Sequence, residues 1–265
     1  MSTSEPAGIR SKRTNVFSWV LVSQPATGTP GFPPSGGNPR LPPADRWFSS
    51  ERFLGQVVSL LVALVACWAI FLTVSDWHSY QVVKRYVADP NRDLSEAERA
   101  DLVATIGAVG YGIFVAAAAI CFVVWLWRVR WNSELFCRAE QRRSRGWVFT
   151  SWFCPGVNLW FPRQLVEDVM VASDPATPVR TESLQPLPKP PIVWGWWAPL
   201  LVAAVLDLFV RVLLAGDDTT GELLGVAVLA TISAAALAAS AGFLVLIIRQ
   251  VDEWQETRPW TPWWA

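Results

Sequence analysis

The sequence predicts an all-α membrane protein in which four transmembrane helices form a bundle. The chain has 265 residues, of which 52% are hydrophobic and only 17% charged, whereas soluble domains carry about 25% charged residues. Four apolar stretches each exceed the roughly 18 residues that identify a membrane span. Seventeen tryptophans are typical of membrane interfaces, where the indole ring has an apolar body and a hydrated N–H group.

The composition also restricts the classes of function. Lys plus Arg and Asp plus Glu balance at 22 each, so no net positive charge indicates a nucleic-acid partner. The four cysteines form no CxxC pair and there is one histidine, so we expect no disulfide framework, no metal site and no cofactor. No catalytic motif is present, and we predict no catalytic residues.

Residues 1–50 predict a disordered tail on the cytoplasmic side, because they are polar at first and then rich in proline and glycine. A short apolar run at 16–22 follows three basic residues, which makes a cleaved signal peptide the alternative. That run is at the lower limit of length for a signal peptide and is interrupted by Ser18. We therefore favour a tail that stays attached.

The membrane domain is predicted to cover residues 51–258. Small residues recur every four positions in three of its spans, and such a stripe lets helix backbones approach closely. In the second span these residues are Ala104, Ala108, Gly112 and Ala116. We interpret the stripes as the interfaces of a four-helix bundle within one chain, with a homo-oligomer as the alternative. The four predicted spans are 53–74, 102–127, 192–215 and 223–248.

The distribution of basic residues predicts the orientation. Six Lys or Arg precede the first span and nine lie between 128 and 189, whereas the last connection, GDDTTGE, has none. Basic residues favour the cytoplasmic side of short connections. Both termini and the central connection are therefore predicted to be cytoplasmic, in a multi-pass protein of the plasma membrane.

A broken segment at 147–162 separates the two pairs of spans. It is apolar but has only 16 residues, fewer than the roughly 20 of a spanning helix. Pro155, Gly156 and Asn158 interrupt it and Pro162 ends it. We predict a re-entrant or interfacial segment on the cytoplasmic side. A fifth span is the alternative, and it would invert everything that follows.

Polar helices are predicted on both sides of this segment. Residues 128–145 are expected to continue the second span as an amphipathic helix whose arginines contact anionic lipid headgroups. Residues 163–173 form a second amphipathic helix, with Glu167 and Asp168 opposite its apolar stripe. A proline-rich linker at 174–191 and a Trp-rich tail at 259–265 complete the chain.

Two polar constellations are candidate functional sites. Asp207 and Arg211 are four residues apart within the third span, and charges inside a span are costly and often functional. The alternative is that Arg211 reaches outward and neutralises Asp207 locally. Asn158 lies at a helix break that frees backbone groups. There the alternative is a simple cap, with Pro162 beginning a surface helix.

The chain resembles a bacterial membrane-protein family known as domain of unknown function 4328. The resemblance lies in W-R-x-R-x-N at 127–132 and in W-F-x-P-x-x-N-L-x-x-P at 152–162, and it covers residues 53 to about 258. It implies the same fold and leaves the activity open. The positions that it singles out are Arg128, Arg130, Asn132, Trp152, Phe153, Pro155, Asn158, Leu159, Pro162, Arg163, Asp168 and Gln250.

Three classes of function follow from these observations. The first is a non-enzymatic membrane scaffold or regulatory partner, which would bind another protein through its tails or its Trp-rich surface. The second is a small transporter or channel component with a polar path near Asn158, Asp207 and Arg211. The third is a membrane enzyme, which the lack of a nucleophile–base pair disfavours.

Overall fold

The computed structural model describes residues 50–89, 95–213 and 220–258, and these residues form six helices without a β-strand. The predicted tails lie outside the described residues, except for Ser50. A 3-10 turn at Val157–Leu159 lies between the third and fourth helices. The helices are α1 (Arg52–Ala88), α2 (Ser95–Phe136), α3 (Trp147–Thr150), α4 (Phe161–Ser173), α5 (Ile192–Leu213) and α6 (Thr220–Thr257).

Four of these helices, α1, α2, α5 and α6, are long and apolar enough to cross a membrane. The protein is therefore a multi-pass, all-α membrane protein, as predicted. Three of the helices are longer than the predicted spans: α1 has 37 residues, which is about 55 Å, against a hydrocarbon layer of about 30 Å. Polar sequence at their ends continues the helices beyond the apolar core.

The four long helices pack in the order α2, α1, α6, α5. At one end of the bundle, here called the hairpin end, α1 leads to α2 and α5 leads to α6. The indole N–H of Trp68 on α1 donates to the carbonyl oxygen of Gly107 on α2 at 2.8 Å. The Trp68 ring covers the Cα of Gly110, where a larger residue would have no room. Gly55 likewise admits the Asp252 side chain of α6.

The predicted small-residue stripe of α2 does not form a bundle interface. Ala108, Gly112 and Ala116 are exposed, and in the described part of the chain no other helix comes within 4 Å of a Cβ placed on Gly112. The face that meets α1 contains Gly107 and Gly110 instead. The Trp68 ring has room only over glycine, so the face of α2 that carries Gly107 and Gly110 packs against α1.

Residues 137–191 fold into a compact unit, here called the cap, over the opposite end of the bundle. Its main core joins Leu165 and Val169 of α4 to Trp125 of α2, Trp196 of α5 and Ile247 of α6. The helical continuation predicted for 128–145 is correct only as far as Phe136. The remaining residues of that stretch form an irregular part of the cap.

The segment predicted as a linker, 174–191, is packed onto the cap. The backbone N–H of Arg138 donates to the Val179 carbonyl at 3.0 Å, and Glu140 forms an isolated β-bridge with Ser183. Leu184 is buried in a second small core with Cys137. Apolar side chains inside this proline-rich stretch therefore override its linker-like composition.

The four-span topology can be tested by the accessibility of single cysteines from each side of intact membranes. In a variant with its native cysteines replaced by serine, the exposed positions Asp101, Glu182 and Gly221 are changed to cysteine one at a time. We expect cysteines at 101 and 221 to react from one side and the cysteine at 182 from the other. Reaction of 101 and 182 from the same side would mean that 147–162 crosses the membrane.

Candidate functional site

The helix α4 lies at the centre of the cap and is buried on almost all sides. Eleven of its 13 residues are buried, including Glu167 at 2% and Asp168 at 0% exposure. The predicted amphipathic helix was expected to present these two acids on a polar face. That expectation is wrong, because residues 137–146 fold over the acidic face and neutralise it.

Arg142 neutralises both acids of α4. Its Nε donates to Oδ1 of Asp168 at 2.7 Å, and its backbone N–H donates to Oδ2 at 2.9 Å. Its Nη2 donates to Oε2 of Glu167 at 2.8 Å and to the Gln164 carbonyl at 3.2 Å. Buried carboxylates are tolerated when their lone pairs are satisfied in this way. We call Arg142, Glu167 and Asp168 the cap triad.

Two further arginines flank the beginning of α4. Arg163, a predicted site residue, donates to Glu167, and its guanidinium lies 4.3 Å from the Trp194 ring centre. Arg143 lies 3.8 Å from the Phe161 ring centre. A guanidinium over an aromatic ring is attracted to the negative face of the ring quadrupole. These contacts connect the cap triad to the start of α5 through Trp194.

A buried amide on α6 joins α2, α4 and α6. Gln255 accepts a hydrogen bond from the Asn132 side chain at 3.1 Å. Its own Nε2 donates to the Val129 carbonyl at 2.9 Å and to Oγ of Ser173 at 2.8 Å. Gln250, the glutamine that the sequence singled out, is only partly buried. The glutamine at the centre of the site is therefore Gln255, one helical turn and a half further on.

Arg258 closes the C-terminal end of α4. Its guanidinium donates to the carbonyl oxygens of Ala172 at 2.9 Å, Asp174 at 3.0 Å and Thr177 at 2.9 Å. The last carbonyls of a helix lack partners within the helix. Because Arg258 follows α6 directly, this contact attaches the end of the fourth span to the cap.

The arginines predicted to meet lipid headgroups are largely engaged within the protein. Arg130 is 2% exposed and pairs with Glu134 at 3.3 Å. Arg145 also binds Glu134, and Arg128 pairs with Glu51 at 3.2 Å. The Nη1 of Arg130 is buried without a hydrogen-bond partner among the described residues. Arg128 and Arg145, whose side chains are 53% and 41% exposed, and the exposed Arg138 keep accessible surface.

The ionisable groups of the cap reflect this burial. For Arg142 burial opposes the charged form, but the hydrogen bonds that its guanidinium donates to Asp168 and Glu167 outweigh this effect and raise its pKa. Burial and the nearby Arg142 lower the pKa of Lys189. Burial also raises the pKa of the Cys137 thiol. Cys137 is thus poorly suited to act as a nucleophile.

The broken segment is a four-residue helix, a turn and a 3-10 turn. Gly156 has φ of 82°, a left-handed conformation that glycine adopts readily, directly after Pro155. Phe153 points outward and is 86% exposed. Asn158 is partly buried, and its backbone N–H donates to the Cys154 carbonyl at 3.2 Å. The segment contains no helix long enough to cross a membrane.

Trp152 and Pro162 attach the two ends of this segment. Trp152 points inward, with ring centres 5.9 Å from Phe122 and 6.2 Å from Trp197. The indole N–H of Trp197 donates to the Leu159 carbonyl at 2.8 Å. Pro162 is buried in the first turn of α4, where proline is well tolerated. Pro162 therefore lies at the start of a helix, as the alternative for the break predicts, but this helix is buried and no side-chain hydrogen bond caps it.

Asp207 and Arg211 do not form an ion pair in the described part of the chain. Asp207 instead accepts a hydrogen bond from the Ser233 hydroxyl of α6 at 2.9 Å, while Arg211 is exposed. Asp207 lines a cavity of about 330 Å³ that also reaches Trp152. Asn158 does not line this cavity, so the two predicted constellations are separate.

The cap has the chemistry of a structural site. No three His, Cys, Asp or Glu side chains among the described residues lie close enough to hold a metal ion.

The sequence did not predict Gln255 or Arg258 as site residues, and Arg142 was predicted to contact lipid headgroups. Arg142 and Asp168 are 26 residues apart, and no local spacing pattern indicates that they pair.

A family model described as a domain of unknown function (DUF4328) matches residues 88–253. The match includes α2, the cap, α5 and most of α6, which is well over half of the chain. It begins at the last residue of α1, so the predicted extension of the resemblance to residue 53 lies outside the matched range. No curated protein and no solved structure matches the chain.

The cap triad can be tested with Asp168→Asn. The amide NH₂ group would face one of the two Arg142 donors, and the partly buried guanidinium would lose one of its two counter-charges. We expect the free energy of unfolding to fall by about 3 kcal/mol, measured by thermal unfolding in detergent. The matched control is Glu182→Gln, an exposed residue, which should leave the midpoint unchanged. Equal midpoints for the two variants would contradict a structural role for the triad.

Gln255→Leu tests the second polar layer. The change removes the acceptor used by Asn132 and the donors used by Val129 and Ser173. We expect a loss of about 1–3 kcal/mol in the free energy of unfolding, whereas Gln250→Leu should have little effect. A larger loss from Gln250→Leu in the same assay would show that the family resemblance identified the correct glutamine.

Proposed function

The chain belongs to the DUF4328 family, and on that premise we propose that it is a non-enzymatic membrane scaffold or regulatory partner of another protein. The observation that carries this proposal is the cap, whose buried charges are used to hold its own shape. Charged groups that serve catalysis need access to a substrate. Glu167 and Asp168 lie at 2% and 0% exposure and are held by Arg142.

The outer face of the cap has the properties of a protein-binding surface. It contains a cleft of about 860 Å³ lined by residues of both charge signs, including Arg143, Glu140 and Glu182. Mixed charge confers specificity on a protein interface through electrostatic complementarity. The contacts of Arg142 with the buried helix α4 would keep residues 137–146 in one conformation, which reduces the entropy lost on binding.

We further propose that the cap lies on the cytoplasmic side of the plasma membrane, with both termini on that side. Nine Lys or Arg between 128 and 189, and none in the last connection, support this orientation. Exposed Phe149, Phe153, Leu159 and Trp160 would lie at the level of the lipid headgroups. Arg128 and Arg138, which are exposed, are the candidates for contact with an anionic headgroup.

The transporter alternative requires a polar path from Asn158 to Asp207 and Arg211. The cavity lined by Asp207 ends at Phe122, Trp152 and Trp196, and neither Asn158 nor Arg211 lines it. This geometry supports a scaffold better than a conducting path. The exposed stripe of α2, at Ala108, Gly112 and Ala116, adds support for the homo-oligomer as a further arrangement of the scaffold.

Site-specific photo-crosslinking in cells tests the scaffold. A photoreactive amino acid is placed at Glu140 or Glu182 on the cap, and at Ile113, which is 64% exposed on α2. We expect one protein adduct from both cap positions and not from Ile113, because the partner contacts the cap. The adduct is identified by mass spectrometry, and its yield is compared with that in the Asp168→Asn background.

The adduct should be lost in that background, since the cap depends on Asp168. Absence of an adduct from both cap positions would contradict the proposal, and so would an undiminished yield with Asp168→Asn. Solute flux into proteoliposomes that Asp207→Asn abolishes would favour the transporter instead.

A further inference from the structure

The cavity inside the bundle has the size and composition of a ligand site. Its volume of about 330 Å³ is within the range of small-molecule pockets, which are mostly apolar with a few convergent polar groups. Alanines and valines of all four long helices form its walls. The polar side chains at its inner end are those of Tyr111, Asp207 and Ser233.

The cavity is elongated along the bundle axis. Its wall on α2 runs from Tyr111 to Phe122, which is about 16 Å at 1.5 Å per residue. Its wall on α5 runs from Trp196 to Asp207, an equal length. At the capped end three aromatic rings close it, with the Phe122 ring centre 5.7 Å from that of Trp196. The shape suits a slender, linear molecule.

Access to the cavity is lateral, between α2 and α5. These helices pack against α1 and α6 respectively and approach each other through Phe122 and Trp196 near the capped end. Between those rings and the hairpin end, both helices line the cavity, which is open at its side. Their outer faces there present exposed apolar side chains such as Ile113 and Leu208. A molecule dissolved in the bilayer can therefore enter without crossing the cap.

The carboxyl group in the cavity lies level with the middle of the apolar run of α6. Asp207 Oδ1 is 2.9 Å from the Ser233 hydroxyl, and Ser233 is ten residues into the apolar run of α6 that begins at Leu223. Ten residues correspond to about 15 Å, half of a hydrocarbon layer of about 30 Å. An ionisable residue at that depth is costly to keep and is therefore a candidate functional residue.

The chemistry of the walls selects one class of ligand. Among the described residues, the Asp207 carboxylate in this apolar, aromatic-capped cavity has no ion-pair partner, since Arg211 is exposed and does not line the cavity. We propose that the cavity binds a lipophilic organic cation, with its apolar chain along α2 and α5 and its cationic group at Asp207. The aromatic ring of Tyr111 adds a second favourable surface for a cation.

This site would be independent of the outer face of the cap and of its protein partner, although the Trp152 ring of the cap closes one end of it. The proposed scaffold function needs the outer face of residues 137–191, whereas the cation site needs only the four long helices and the Trp152 ring. Failure of either proposal therefore leaves the other unaffected. The two can be separated experimentally, because Asp207 is remote from the cap triad in sequence and lies in a different layer of the protein.

Binding of a matched pair of probes tests the proposal. Protonated dodecylamine and dodecanol share one chain and differ in charge. Native mass spectrometry of the purified full-length chain in non-ionic detergent would count the bound probe. We expect saturable binding of one amine, and about tenfold weaker binding of the alcohol, as for the loss of one charge-assisted hydrogen bond.

Three variants complete the design. Asp207→Asn should reduce the affinity for the amine to that for the alcohol and leave the alcohol unchanged. Ala204→Phe, which fills the cavity, should weaken both probes by about tenfold. Val202→Phe, on an exposed position outside the cavity, is the matched control and should weaken neither.

Two results would overturn the proposal. Equal affinities for the amine and the alcohol in the unchanged protein would show that the cavity accepts any apolar chain, such as that of a bilayer lipid. An unchanged amine affinity in Asp207→Asn would show that the carboxylate does not select the ligand. If Ala204→Phe does not fold, the ratio of the two affinities with and without Asp207→Asn still decides the question.

Discussion

The pairing of Arg142 with Glu167 and Asp168 is the interaction on which the cap depends. α4 carries two neighbouring acids and is nevertheless buried, with Asp168 fully inaccessible. Burial of unpaired carboxylates would cost several kcal/mol each, so α4 can occupy the centre of the cap only because Arg142 satisfies them. The fold of residues 137–146 follows from this requirement, since Arg142 must reach α4 from the end of α2. The broken segment then connects these residues to the start of α4.

The polar contacts of the cap also connect the spans to each other. Gln255 bonds to α2 and α4, and Arg258 holds the C-terminal end of α4. Trp152, which belongs to the broken segment, forms part of the wall that closes the membrane cavity. The cleft on the cap and the membrane cavity share only α2 among the long helices, with Arg130 in the cleft and Phe122 in the cavity.

The sequence was sufficient to predict the class of fold, the four spans and the interruption near Pro155. Each of these depends on local composition, which a window of about twenty residues contains. It was insufficient for contacts between distant residues. The acids of α4 were predicted to form a solvated face because their partner Arg142 is 26 residues from Asp168 in sequence. Gln255 was not predicted as a site residue because its partners lie on two other helices. The predicted α1–α2 interface was placed on the wrong face of α2, since this interface is determined by the Trp68 ring and not by the spacing of alanines.

Hydrogen–deuterium exchange of the purified protein in lipid nanodiscs tests most directly whether the cap is a folded part of the bundle. If the cap is folded onto the bundle, we expect the amides of α4 and the hydrogen-bonded amides of 137–146 to exchange as slowly as the amides of α6 near Ile247. Amides of buried, hydrogen-bonded elements exchange only through cooperative opening. Exchange of the α4 amides within seconds, at the rate of an unfolded loop, would contradict a folded cap. Residues 137–191 would then be a flexible connection.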